Sequence, residues 1–124
     1  MMIFLLLLLT ISNNNIFSDN CIFNYWLHSN EEDDNKQIVY RPQDYDLPTL
    51  RGGRDGMEII KENQTIIFYD LNPRDGSPEK NTGYFKIKEP NILNYFVNVN
   101  NNTIQHSITI LSCEKDRFII QKDD

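Results

Sequence analysis

The chain has 124 residues, which favours a single domain, and 40% of them are hydrophobic, enough for one core. Its formal net charge is −6 and its pI is about 4.8, so it repels phosphate backbones and we expect no nucleic-acid partner. No basic amphipathic stretch indicates docking to a membrane surface.

The N-terminus carries an uninterrupted apolar run over residues 3–9. This run is shorter than the roughly 20 residues that a membrane-spanning helix needs. It is typical of the apolar centre of a secretory signal peptide, which we assign to residues 1–18, with cleavage after Ser12 or Ser18. The alternative is a buried N-terminal strand. The signal peptide predicts a secreted, extracellular protein without a stable membrane span.

Past the signal region, apolar and polar residues alternate with a period of two, which predicts strands and no long helix. The predicted strands cover residues 23–28, 37–41, 57–61, 65–71, 82–88, 93–99, 103–113 and 118–121. Turn formers such as Asp75-Gly76 join most of them at hairpin length. Residues 19–124 are therefore predicted to form an all-β fold, a small antiparallel up-and-down barrel of about seven or eight strands.

Two single side chains stand out in this pattern. Trp26, in the first strand, is predicted to plug one end of the barrel. His106 lies on the same strand face as Ile104 and Ile108, which favours a hydrogen-bonded core histidine over a ligand-binding one.

The segment 29–56 is polar and long for a connection in a compact domain, and it contains only one short predicted strand. Acidic residues follow a histidine at its start, and arginines come later; the candidate site residues are His28, Glu31, Glu32, Asp33, Tyr40, Arg41, Arg51 and Arg54. One interpretation is a plain solvated loop. Another is a self-pairing network, in which arginines bind carboxylates through two hydrogen bonds each and the segment covers the barrel mouth, anchored by Tyr40 and Tyr45.

Metal binding and catalysis are weaker interpretations of the same residues. Neighbouring acids in an extended chain point to opposite sides, and the spacing of a calcium-binding loop is absent, so we predict no metal at His28, Glu31 and Asp33. No second, separately tuned carboxylate identifies an acid–base pair, so no catalytic residue is assigned. No nucleophile, zinc or phosphate-binding motif occurs, and no cofactor is predicted.

Two further features fit an oxidising compartment. Cys21 and Cys113, the two cysteines, either form one bridge or remain free thiols, and secretion favours the bridge. The sequons Asn63-Gln64-Thr65 and Asn101-Asn102-Thr103 fall in predicted turns, where Asn63 and Asn101 would carry glycans. Because the chain is rich in asparagine, chance matches are the alternative.

Several of these motifs resemble those of known proteins. Trp26 in the first strand and Gly83-Tyr84-Phe85 at a later strand start look like lipocalin-like domains of the calycin type. More narrowly, the chain resembles small lipocalin-like proteins with a W-x-H-S-x-E-E-D, V-Y-R-P and R-G-R-x-G pattern, although Gly53 interrupts the last motif and Phe85 replaces a tryptophan. The resemblance implies a fold and no reaction.

Three functions remain open. The first is binding of a small apolar or amphipathic ligand at the barrel mouth, where Tyr69, Phe85 and Tyr95 supply contact area and Arg41, Arg51 or Arg54 orients a polar or anionic group. The second is an extracellular interaction module with a filled core, which binds a partner protein through its surface. The third is a hydrolase-like activity of the region around His28 and Glu31.

Overall fold

The computed structural model describes residues 15–71 and 78–123. Most of the predicted signal peptide, residues 1–14, lies outside these residues. The strands are β1 (Tyr25–His28), β2 (Gln37–Pro42), β3 (Gly56–Ile60), β4 (Thr65–Leu71), β5 (Pro78–Lys88), β6 (Ile92–Val99), β7 (Asn102–Glu114) and β8 (Arg117–Gln121). Two short 3₁₀ turns, Asn30–Glu32 and Glu62–Gln64, are the helical elements of the described residues, and no helix among them is long and apolar enough to cross a membrane.

The eight strands close into an antiparallel barrel in the order β1-β2-β8-β7-β6-β5-β4-β3, which confirms the predicted fold class. From β3 to β8 each strand pairs with the next, as the up-and-down pattern predicts. The first strands differ from that pattern. Trp26 of β1 pairs with Pro42 of β2 on one side and with Met57 of β3 on the other, and β8 closes the barrel against β2.

The position of β1 explains the long connection that follows β2. Both β2 and β3 run antiparallel to β1, so they share a direction, and the link 43–55 has to return along the length of the barrel. Buried side chains such as Trp26 and Phe118 occupy the barrel below the mouth, and most of residues 43–55 are exposed, so this link passes outside β1. The prediction that 29–56 as a whole covers the mouth is therefore wrong: β2 is a wall strand, and the link runs along the outside.

The barrel end near residues 15–24 is closed. Trp26 is fully buried, stacks on Phe118 with ring centroids 5.2 Å apart, and donates its indole N–H to the carbonyl of Ile22 at 2.9 Å. A large aromatic ring with a satisfied polar atom is well suited to fill such a position. The predicted role of Trp26 as a plug is confirmed.

Residues 15–18 pack on this closed end. The Phe17 side chain belongs to the core and is 9% exposed, and the backbone N–H of Ile16 donates to the carbonyl of Pro90 at 2.9 Å. A disulfide between Cys21 and Cys113 joins the same segment to β7, with the Cα atoms 6.0 Å apart. The predicted bridge is confirmed, and the N-terminal segment is fixed to the barrel covalently.

The opposite end of the barrel is the mouth, and the β6–β7 hairpin projects beyond it. Asn100 and Asn101 form its two-residue turn with φ angles of 52° and 67°, a conformation that asparagine tolerates better than most residues. Strand β8 pairs with β7 only from Ile110 onwards. Ile104 and His106 therefore lie on the projecting part and are exposed, so the prediction that His106 is a core residue is wrong.

Candidate functional site

In the tight turn after β1, the side chains of the consecutive acids Glu31, Glu32 and Asp33 point in different directions. Ser29 is 1% exposed; its hydroxyl donates to Oε2 of Glu32 at 2.8 Å, and the backbone N–H of Glu32 donates back to the Ser29 carbonyl at 3.0 Å. These bonds close the 3₁₀ turn Asn30–Glu32. Three consecutive acids consequently reach three different partners at the mouth end of β1.

Both ring nitrogens of His28 meet a carboxylate. Nε2 lies 2.6 Å from Oδ2 of Asp33, and Nδ1 lies 2.9 Å from Oδ1 of Asp55. A neutral imidazole has a single N–H and can donate to only one of them, whereas an imidazolium donates to both. The hydrogen bond to Asp55 raises the pKa of His28 against the opposing effect of burial, and Asp33 raises it further. The geometry therefore favours a charged histidine.

Asp55 shares in this arrangement. Burial opposes its ionisation, but the hydrogen bond and the charge of His28 outweigh burial and lower the pKa of Asp55. Sequence reasoning missed this residue because its place depends on the pairing of β1 with β3, which the sequence did not reveal. The signal that was available is its position two residues before a predicted strand, next to Arg54.

Glu31 and Arg54 form a bidentate ion pair. The guanidinium nitrogens Nη1 and Nη2 of Arg54 donate to Oε1 and Oε2 of Glu31 at 2.8 and 2.7 Å, and they also donate to the carbonyls of His28 and Pro48. The Arg54 side chain is 7% exposed. Its hydrogen bonds lower the pKa of Glu31 to about 2. Arg54 thereby ties the link 43–55 to the end of β1.

Glu32 and Arg41 form the second such pair. Nη2 and Nε of Arg41 donate to the two carboxylate oxygens of Glu32 at 2.6 and 2.8 Å, and Nη1 donates to the carbonyl of Asp116 at 3.1 Å. The guanidinium lies over the ring of Tyr45, 4.4 Å from its centroid. The hydrogen bond from Arg41 lowers the pKa of Glu32.

These contacts correct the predicted role of the arginines. Arg41 and Arg54 use their guanidinium nitrogens on carboxylates and carbonyls of the same chain, so neither is free to orient an anionic ligand. Arg51 is exposed beside Gly52 and Gly53 and, within residues 15–71 and 78–123, has no hydrogen bond or ion pair. The structure thus brings together all the predicted polar residues except Arg51.

The two residues of the hydrolase hypothesis are engaged in the same network. His28 has a carboxylate at each ring nitrogen, and Arg54 occupies both oxygens of Glu31, so neither side chain is placed as a free base. No group of three or more metal-ligating side chains in the described part of the chain is arranged to hold a metal ion.

A cavity of about 350 Å³ opens at the barrel mouth. Its walls are mostly apolar and come from the inward faces of the strands, with the C-terminal residues at the rim; the lining residues are Ile38, Tyr40, Met57, Phe68, Tyr95, Ser107, Ile108, Ile120, Gln121, Lys122 and Asp123. The Tyr95 contact predicted from the sequence is therefore part of the cavity. Phe85 instead packs against Phe23 in the core, and Tyr69 stacks on Tyr25.

Tyr40 connects the charged network to this cavity. Its ring centroid lies 5.3 Å from that of His28 and 6.0 Å from that of Phe118. The side chain is 7% exposed, and its hydroxyl has no hydrogen-bond partner among the described residues. Burial raises the pKa of Tyr40, and the charges of Asp55 and Asp33 raise it further. The phenol stays protonated and is free to bond a guest molecule.

The predicted glycosylation sites lie away from this cavity, on turns. Asn63 and Asn101 are both exposed and have positive φ angles of 59° and 67°. A glycan on either side chain would extend into solvent. Glycosylation itself stays a prediction from the sequons.

Comparison of the chain with known protein families, with curated proteins and with solved structures found no match. The fold and the geometry of the mouth are therefore the grounds for a functional proposal.

Proposed function

We propose that the protein is a lipocalin-like binding barrel that takes a small, partly apolar molecule into the mouth cavity. The cavity of about 350 Å³ carries this proposal. Ligand sites are typically concave, largely apolar spaces of roughly 300–1,000 Å³ with a few polar groups that fix the orientation. Aliphatic walls from Ile38, Ile108 and Ile120 would bury the apolar body, and the hydroxyl of Tyr40 would bind a polar group.

The charged network supports the site by fixing its rim. The ion pair of Arg54 joins the link 43–55 to the turn after β1, and the ion pair of Arg41, the neighbour of Tyr40, joins β2 to the same turn. A wall that is already ordered loses little conformational freedom when a ligand binds, which favours affinity. In this proposal the network positions the wall and does not touch the ligand.

We further propose that the barrel acts outside the cell. The bridge between Cys21 and Cys113 suits an oxidising compartment, where disulfides persist. The apolar run at residues 3–9 and the exposed sequon residues Asn63 and Asn101 support the same location.

A neutral fluorescent probe tests the binding proposal. N-phenyl-1-naphthylamine would be titrated with the oxidised protein, and we expect saturable binding with a Kd of roughly 10–100 µM for a ligand of this size. In Ile108→Phe the longer ring would project into the cavity and narrow it, so the probe should bind several-fold more weakly. Gln105→Phe, on the exposed outer face of the same strand, is the matched control and should bind like the natural chain.

Two results would contradict the proposal. Absence of saturable binding, or equal binding by Ile108→Phe when circular dichroism shows both variants folded, would mean that the probe does not enter the barrel. The second function, an interaction module that binds a protein partner through its surface, would then replace it.

A further inference from the structure

Resting on the proposed function, we infer that the mouth cavity selects a cation: a small amphipathic molecule with an apolar body and a protonated amine. The cavity offers such a ligand aromatic faces, an unpartnered hydroxyl and nearby carboxylates, and it offers no free arginine.

Aromatic rings form much of the lining. Phe68 and Tyr95 lie with ring centroids 4.8 Å apart, and Tyr40 lines the same space. The face of an aromatic ring carries partial negative charge, so it attracts an ammonium group, more strongly where water is excluded. Three rings around one small space therefore favour a cationic guest over an anionic one.

The hydroxyl of Tyr40 offers a ligand in the cavity a polar contact. More than nine-tenths of this side chain is buried, and its hydroxyl lacks a hydrogen-bond partner in the described part of the chain. The hydroxyl oxygen keeps some accessible surface because Tyr40 lines the cavity, so a ligand there can reach it. This oxygen can accept a hydrogen bond from an ammonium N–H.

Carboxylates stand at the rim of the cavity. Asp123 belongs to its lining, and Asp70 follows Phe68 on the inward face of β4. Burial raises the pKa of Tyr95, and the charges of Asp123 and Asp70 raise it further.

Three positive groups lie close by, and the negative charges still outnumber them. Lys36 is exposed, and its carbonyl accepts a hydrogen bond from the backbone N–H of Lys122. Lys122 is at the rim, where it is exposed and screened by solvent. His28, behind Tyr40, carries one positive charge, and the two carboxylates in contact with it, Asp33 and Asp55, carry two negative charges. The local charge is therefore negative, in the same sense as the net charge of −6.

A matched series of ligands on one ring system tests the inference. 1-Naphthylmethylamine is a cation at pH 7, 1-naphthylmethanol is neutral and 1-naphthylacetate is an anion; each would compete with N-phenyl-1-naphthylamine for the oxidised protein. We expect the amine to bind about five- to tenfold more tightly than the alcohol, and the acetate more weakly than both. Salt at 0.5 M should reduce the preference.

Two sets of variants assign the preference to the cavity. Asp70→Asn combined with Asp123→Asn should lower the ratio of amine to alcohol affinity to about twofold or less, with the affinity for the alcohol unchanged. Tyr40→Phe should weaken binding of the amine several-fold, because it removes the hydroxyl while the aromatic ring remains. Asp44→Asn combined with Glu62→Gln removes two exposed carboxylates far from the mouth, and this control should keep the preference.

The outcomes separate the inference from the proposed function. If N-phenyl-1-naphthylamine binds but the three ligands bind equally, or the acetate binds most tightly, the cation preference is wrong and the binding barrel stands. The same holds if the control pair lowers the preference as much as the pair at the mouth. If none of the probes binds, both fail.

Discussion

At the residue scale, His28 is the side chain whose chemistry is most constrained. With a carboxylate oxygen within 2.9 Å of each ring nitrogen, both contacts are favourable only when the ring carries two protons. Its side chain is 14% exposed, so the interaction is partly shielded from solvent. Loss of the second proton would leave a lone pair facing a carboxylate, and this makes the rim of the mouth sensitive to pH.

We predict that the stability of the protein falls on the alkaline side because of His28. Its folded-state pKa is raised, so its contribution is complete below the unfolded value of about 6.5 and is lost as the pH rises through the folded value. The pKa of Asp55 is lowered, so its contribution is present above about 3.8 and is lost as the pH falls through its folded value. Urea unfolding between about pH 2 and pH 9 covers both effects.

His28→Gln should remove the alkaline decrease and lower the free energy of unfolding at pH 6 by about 1–3 kcal/mol, because two carboxylates lose a charged donor. The control is His106→Gln, which changes an exposed histidine whose side chain has no hydrogen bond in the described part of the chain. It should keep the pH profile of the natural chain. An unchanged profile in His28→Gln would show that His28 is neutral in the folded protein.

At the element scale, the insertion of β1 between β2 and β3 creates the candidate site. The arrangement brings the end of β1, the start of β2 and the residues before β3 to one edge, so that Asp33 and Asp55 reach His28 from different parts of the chain. The link 43–55 returns outside β1 and supplies Arg54. A strict up-and-down order would have separated these groups.

The N-terminal segment gives a prediction at this same scale. Phe17 is buried and Ile16 bonds to Pro90, so a chain that begins at Asp19 loses these contacts. We expect its free energy of unfolding to be about 1.5–3 kcal/mol lower than that of a chain that begins at Asn13, because the shorter chain lacks one large buried apolar side chain. Of the two predicted cleavage sites, this favours Ser12, and N-terminal sequencing of the chain expressed in secretory cells would test that prediction.

The comparison needs one control, because shortening a chain can act without specific contacts. Phe17→Ala in the longer chain should reproduce most of the loss. Equal stability of the chains beginning at Asn13 and Asp19 would contradict a structural role for residues 15–18.

At the scale of the whole molecule, closure of the barrel and the disulfide act together. Every strand pairs on both sides along part of its length, and the bridge joins the plugged end of the barrel to β7 across a sequence separation of 92 residues. A closed barrel has few free edges, and a crosslink over a long loop restricts the unfolded chain. At the mouth a cavity of about 350 Å³ remains between the strands.

We predict that the double variant Cys21→Ser, Cys113→Ser loses about 2–5 kcal/mol in the free energy of unfolding, since the unfolded chain regains the freedom that the bridge removed. Denaturant unfolding with and without dithiothreitol measures this loss. The reductant should destabilise the natural chain by a similar amount and leave the double variant unchanged. Equal stability of the two oxidised proteins would contradict a stabilising role for the bridge.

The sequence by itself determined the strands, because the alternation of apolar and polar residues is a local property. It also indicated that Trp26 fills one end and that Cys21 and Cys113 can pair. It placed acids and arginines in one segment, since they are close in the chain.

Only the tertiary structure decided which strands are neighbours, which acid meets which arginine and where space remains in the barrel. Those features depend on contacts between distant residues: Asp55 reaches His28 through the pairing of β1 with β3, and Ile108 and Tyr40 meet at the cavity through the closure of β8 on β2. Alternation cannot encode such contacts, because many strand orders bury the same faces equally well.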